Sequence, residues 1–93
     1  MDFEFDWGPL KATSNLRKHN ISFQEASTCF HDLLAVTFPD GKHSDGEFRF
    51  LTFGQSAAGR ILLVSHTETG LNGVHIISAR KADRKERKIY EEG

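Results

Sequence analysis

No apolar run in the chain is longer than Ile61-Leu62-Leu63-Val64, and that run limits what the chain can build. It is far too short to cross a bilayer. It suits the middle of a strand covered on both faces, where the alternation of half-exposed strands disappears. The strand is expected to span Arg60 to Glu68. Thr69-Gly70-Leu71-Asn72-Gly73 then reads as a hairpin loop, with Asn-Gly supplying positive φ at little cost. Val74 to Lys81 is the expected return strand.

Other segments carry their own periods. Phe3, Phe5 and Trp7 alternate with Asp2, Glu4 and Asp6, a period of two that predicts a strand with one apolar and one acidic face. Gly8-Pro9 ends it, and Pro9 suits the first position of a helix running from Leu10 to His19, with Asn20 as its C-terminal cap. Ser22-Phe23-Gln24-Glu25 is a capping box. The helix behind it carries Phe23, Ala26 and Phe30 at helical spacing and is expected to end near His31-Asp32. The two helices form a helical hairpin. Leu34 to Phe38 predicts a short strand closed by Pro39-Asp40-Gly41, Lys42 to Gly46 a polar loop, and Glu47 to Phe53 an alternating strand. Ala57-Ala58-Gly59 makes a tight connection. Asp83 and Glu86 stand at capping-box distance before a last helix, Arg84 to Glu92. That helix has only Ile89 and Tyr90 as sizeable apolar groups, so it has weak reason to dock on its own core.

The sum is a single α+β domain over residues 1–93: an N-terminal strand, a helical hairpin, four further strands in an antiparallel sheet, and a C-terminal helix. At 93 residues the domain has little stability to spare, and eight phenylalanines supply much of its core. Cys29 is the single cysteine, so no internal disulfide can form. It is expected to be a small core residue beside Phe30. Met1-Asp2-Phe3-Glu4 lacks the basic and apolar start of a signal peptide, and a cytoplasmic location without membrane contact is the expectation.

The formal charge of −1 does not suggest a nucleic-acid protein, but its distribution is uneven. Residues 1–59 hold five Lys/Arg against eight Asp/Glu, whereas residues 60–93 hold seven against five. The excess gathers in Arg80, Lys81, Arg84, Lys85, Arg87 and Lys88. Such a cluster either attracts phosphates or forms a solvated helix face.

An ordered set of residues carries a family resemblance. Phe5-Asp6-Trp7-Gly8-Pro9-Leu10-Lys11, then Asn15, Lys18-His19 and Ile21-Ser22-Phe23-Gln24-Glu25-Ala26 form its opening. Ser44-Asp45-Gly46-Glu47-Phe48-Arg49-Phe50 and Gly59-Arg60 form its middle. Ile76-Ile77-Ser78-Ala79-Arg80-Lys81-Ala82, Glu86 and Tyr90-Glu91 close it. Together, over about residues 3 to 93, they resemble the BrnT toxins. Gly8 departs from the family's frequent Asp before the proline, which removes a helix cap and leaves the chemistry untouched. The resemblance implies a RelE-like fold and a ribonuclease that blocks translation. It also implies a BrnA antitoxin with a ribbon-helix-helix part, a two-plus-two complex, and contact with DNA only through that antitoxin.

Cleaving RNA without a metal uses the 2′-hydroxyl as nucleophile. It needs a base, a cation near the phosphorane and an acid for the leaving 5′-oxygen. Even-numbered residues of the strand Arg60 to Glu68 share a face, and Ser78 and Arg80 share one in the next strand. Arg60, His66, Glu68 and Arg80 are therefore expected to converge as catalytic residues. Arg60 and Arg80 would contact phosphate, and His66 or Glu68 would act as base or acid. The plainer alternatives are a strand-end histidine for His66 and a surface salt bridge to Glu86 or Glu91 for Arg80. Lys18, His19, Arg49, Lys81 and Tyr90 are candidate RNA contacts. Lys18-His19 reads equally as favourable cations at a helix C-terminus, and Tyr90 as packing on the sheet. His31, His43, His66 and His75 lack ligand spacing, and His43-Ser44-Asp45 has no accompanying carboxylate cluster, so no metal or other cofactor is expected. The rival readings are a non-enzymatic interaction module that binds the antitoxin and aids promoter repression, and a stand-alone nucleic-acid-binding domain, against which the near-neutral charge argues.

Overall fold

A computed structural model describes residues 2–42 and 46–93; His43, Ser44 and Asp45, with the motif they form, lie outside the described residues. The order is β1 (Glu4–Asp6), α1 (Pro9–His19), α2 (Phe23–Thr28) with a 3-10 turn (Cys29–His31), β2 (Val36–Lys42), β3 (Phe48–Gln55), β4 (Ile61–Thr69), β5 (Gly73–Lys81) and α3 (Arg84–Glu92). The strands form one sheet in the order β1-β5-β4-β3-β2.

Local chemistry sets the helix ends. Pro9 lies in the first turn of α1, and Asn20 takes the left-handed conformation (φ 57°) while its N–H donates to the Leu16 carbonyl. The Ser22 hydroxyl accepts from the Glu25 N–H at 3.0 Å, capping α2. Asp83 and Glu86 satisfy each other's backbone N–H groups at the start of α3, at 2.8 and 2.9 Å.

The helical hairpin and one sheet face enclose the core. Ile21, Phe23, Ala26 and Cys29 pack on Leu62, Val64, Val74, Ile76 and Ala79, with Phe3, Phe5, Trp7 and Phe30 at the border. Each fully buried large side chain contributes about 1.5–3 kcal/mol relative to exposure. Cys29 is one of these core residues, and burial pushes its thiol up to about 12, which removes it as a nucleophile at neutral pH.

Three features differ from the expected strands. β2 to β5 are antiparallel, but β1 joins β5 in parallel, so the sheet is mixed. β2 runs through Pro39 to Lys42 rather than closing at Pro39, with an irregularity between Pro39 and Gly41. β2 is an edge strand, where a proline takes no donor from a ladder. The third feature has the widest consequence. Near the hairpin the β4–β5 register pairs Glu68 with Val74 and His66 with Ile76, even with even. A bulge then adds Ile77 to β5, and beyond it Ser65 pairs with Ser78, Val64 with Ala79 and Leu63 with Arg80. Parity inverts at that point, which sends Arg80 to the face away from the core.

α3 has no buried residue, as its composition suggests. Two polar clamps nevertheless hold it. Arg80 grips Glu86 near its start, and the Tyr90 hydroxyl donates to Asp32 Oδ2 at 2.6 Å near its end. Among the described residues, no helix is long and apolar enough to cross a membrane.

Candidate nucleic-acid interface

Because β1 is only three residues long, the β5 edge beyond His75 is left to α1. Asn15, buried on α1, uses its carboxamide as a substitute peptide. Its Nδ2 donates to the Ala79 carbonyl at 2.8 Å, and its Oδ1 accepts from the Ala79 N–H at 3.0 Å. Nδ2 also reaches the Ile21 carbonyl at 2.9 Å. This ties α1 along β5 and sets its basic side chains beside the open face of the sheet.

Two adjoining cavities result. The first, about 230 Å³, lies between Lys11, Ser14, Lys18 and His19 of α1 and Ile77 and Ser78 of β5. The second, about 450 Å³, continues over the sheet between His19, Asp40, Leu51, Ser65, Ser78 and Arg80. His19 and Ser78 belong to both, so the two form one groove. Its walls carry Lys11 and Lys18 against Asp40, with Arg80 paired to Glu86 at its edge, a balance that leaves a small positive excess toward an anionic ligand.

Arg80 is half-exposed and bound bidentately by Glu86, at 2.7 Å from Nη1 to Oε1 and 2.8 Å from Nη2 to Oε2. The hydrogen bond from Arg80 holds the Glu86 carboxyl below its usual range, against the opposing pull of burial. Of the plainer readings for Arg80, the ion pair to Glu86 is the one observed.

The expected convergence of Arg60, His66, Glu68 and Arg80 does not occur. His66 lies on the core face, fully buried, with Nε2 2.7 Å from the Thr52 hydroxyl, which in turn pairs with Thr37 at 2.8 Å. Phe30 meets its ring edge-on at 4.9 Å and Phe50 stacks on it at 5.9 Å. Burial pushes the imidazole down to about 4, so it is neutral at physiological pH. Arg60 forms an ion pair with Glu25 at the start of α2, with Nε donating to Oε2 at 2.9 Å, and Ser56 donates to the same oxygen at 2.7 Å. This network fastens the helical hairpin to the β3–β4 turn. The hydrogen bond from Arg60 holds Glu25 below the ordinary carboxylate range. Glu68 is exposed at the far end of β4, opposite Val74. The bulge at Ile77 is the reason for the separation: without it Arg80 would pair with Leu62 on the face that holds His66.

The candidate RNA contacts divide similarly. Lys18 and His19 are exposed on the groove wall. Arg49 is half-buried on β3. Lys81 is exposed and pairs with Leu62, on the face opposite Arg80. Tyr90 donates its hydroxyl to Asp32, and that hydrogen bond raises the hydroxyl to about 12.

Sequence reasoning missed two features. One is Asn15 as an edge cap. The other is a close pair between Asp6 and His75 Nδ1, neighbours across the parallel β1–β5 register. Their wide separation in sequence left no local signal, beyond the exposed alternation that put Asp6 on the polar face of β1. Among the described residues, no three His, Cys, Asp or Glu side chains gather closely enough to hold a metal ion.

No curated protein sequence matches the chain at a significant level. The crystal structure of the Brucella abortus ribonuclease toxin BrnT superposes with a TM-score of 0.68 at 26% identity, over 89% of this chain and 100% of that one. The description of the ribonuclease toxin BrnT of type II toxin-antitoxin systems matches residues 7–86. The chain belongs to the BrnT family of ribonuclease toxins of type II toxin–antitoxin systems.

Proposed function

We propose that the protein is a metal-independent endoribonuclease that cleaves RNA in the groove between α1 and the open sheet face, and so inhibits translation. The observation that carries this is the meeting of His19 and Arg80 in one groove. Lys11 and Lys18 extend its positive wall. Arg80 presents a planar guanidinium to phosphate oxygens, a geometry that also suits the charge of the phosphorane. The His19 imidazole stands beside it as a group able to pass a proton to or from the reacting oxygens. Lys18 and Arg49 hold the strand on either side. The chemistry needs the 2′-hydroxyl, so RNA is cut and DNA is spared.

The partner is a BrnA-type antitoxin with a ribbon-helix-helix DNA-binding part, in a two-plus-two complex, and the toxin meets DNA only through it. The site of action is the cytoplasm. A type II system supports an antitoxin partner, and the exposed, strongly charged α3, which buries no residue, supports a docking surface.

The test is cleavage of purified RNA in chelator by the parent protein and by Arg80→Ala. Cleavage by the parent that fails in the variant supports the reading. Equal cleavage by both removes Arg80 from the site. Cleavage by neither, with antitoxin binding intact, favours the non-enzymatic interaction module.

A further inference from the structure

One residue of the groove works against phosphate. Asp40 lines the same cavity of about 450 Å³ as His19 and Arg80. Its carboxylate repels a phosphate backbone, so it suits a different part of a nucleic-acid strand. β2 brings it there by a local irregularity. Pro39 pairs with Phe50 and Gly41 with Arg49, which makes Asp40 the extra residue of the strand. An extra residue of this kind bends a strand and re-aims a side chain. Gly41 follows at φ 77°, a conformation that glycine takes at little cost. Between the two ends lie Leu51 and Leu63, with the hydroxyls of Ser65 and Ser78. β2 stands three strand spacings from β5, about 14 Å. The cavity is thus cationic near β5, apolar along its floor and acidic near β2. A nucleotide has a matching order: an anionic phosphate, then a flat base whose far edge carries hydrogen-bond donors and acceptors.

We propose that Asp40 reads guanine in single-stranded RNA, accepting hydrogen bonds from N1–H and N2–H of a base that lies on Leu51 and Leu63. The inference rests on the ribonuclease reading above and names the substrate of the same groove. Sequence-specific recognition of RNA targets unpaired bases, which stack on side chains and are hydrogen-bonded at their edges. An ionised carboxylate only accepts, so it selects an edge rich in donors. Guanine presents two adjacent donors on its Watson–Crick edge. Adenine and cytosine each present one amino group beside a ring acceptor, and uracil one imino group between two carbonyls. A carboxylate has about four acceptor positions, so Asp40 can take both hydrogens of the base alongside a neighbour in the protein. The negative charge also turns phosphate away from that end, which leaves the phosphate beside His19 and Arg80. Asp40 is a specificity residue: it moves no proton in the cleavage.

The experiment maps cuts in a randomised single-stranded RNA. It then measures kcat/KM on oligonucleotides that differ only at the mapped position, which holds guanine, inosine or adenine. Inosine keeps N1–H and lacks the N2 amino group. The parent is expected to enrich guanine at one position beside the cut, to lose about tenfold on inosine, and to lose more on adenine. Asp40→Asn offers one donor and one acceptor, which suits the adenine edge, so the guanine-to-adenine ratio of kcat/KM should fall about tenfold or more. Asp40→Ala should lower the same ratio. Removing a negative charge raises affinity for every sequence alike, so the ratio and not the rate is the reading. Cutting by the parent without a guanine preference, equal rates on guanine and inosine, or a ratio unchanged in both variants overturns the proposal and leaves the ribonuclease reading standing. So does an equal loss on every sequence, the behaviour of a structural or proton-transferring Asp40. Absence of parent cleavage, both on the oligonucleotides and on messenger RNA in a translating extract, overturns both readings.

Discussion

The Asn15 carboxamide completes the hydrogen bonding of β5 at Ala79, doing for one residue what a longer β1 would have done for the whole edge. The contact joins positions 64 residues apart and fixes where α1 lies along the sheet. The position of Lys18 and His19 over the groove depends on it.

Asn15→Ala is therefore expected to destabilise the protein by about 2–4 kcal/mol, because it leaves buried Ala79 and Ile21 groups without partners. Urea unfolding measures this. A change below 0.5 kcal/mol, about the size of an ordinary surface substitution, would show that the edge is satisfied in another way.

His66 makes stability depend on acid. Burial lowers its imidazole to about 4 from an ordinary 6.5. Between those values the unfolded chain binds a proton that the folded protein refuses, so stability is complete above about 6.5 and falls as pH drops towards 4. The loss reaches about 3 kcal/mol at most. Glu25 and Glu86, both held low, add a further loss only at more acidic pH. Urea midpoints at pH 7 and pH 4.5 should differ in the parent and differ much less in His66→Phe, where Thr52 keeps Thr37 as partner. Equal differences in the two proteins would acquit His66.

Gly54 makes a packing contact that admits no side chain. A Cβ there would lie 2.8 Å from the Cys29 carbonyl oxygen and 3.0 Å from the Cys29 Cβ. One of these is backbone, so relief requires moving the 3-10 turn away from β3. Gly54→Ala is expected to lower stability by about 1–3 kcal/mol, readable as a fall in the thermal midpoint. An unchanged midpoint would mean that the turn shifts freely.

Glu86 neutralises Arg80 while its backbone-capping role serves α3. Glu86→Gln keeps a side-chain oxygen for the Asp83 N–H and removes the competing charge. RNA affinity by fluorescence anisotropy should rise roughly threefold to tenfold at low salt, and the gain should shrink as salt is added. Unaltered affinity would show that phosphate does not reach Arg80.

The sequence by itself determined the helices and their ends. Pro9, Asn20, Ser22 with the Glu25 N–H, and Asp83 with Glu86 act within a few residues of one another, so their geometry is written locally, although only that half of the box expected at Ser22 forms, because the Glu25 carboxylate goes to Arg60 and Ser56. The buried run in β4, the hairpin after it and the core role of Cys29 were legible for the same reason. The ordered motifs also carried the family. Tertiary structure alone decided which side chains meet. Period two assigns faces within a strand, but a face shared between strands depends on register. One extra residue, Ile77, inverted it, sending Arg80 to the groove and leaving His66 in the core. Arg60 found Glu25, and His75 found Asp6, across 35 and 69 residues. Such pairs are set by chain crossings and by the cost of burying unpaired polar groups, and no local pattern records either.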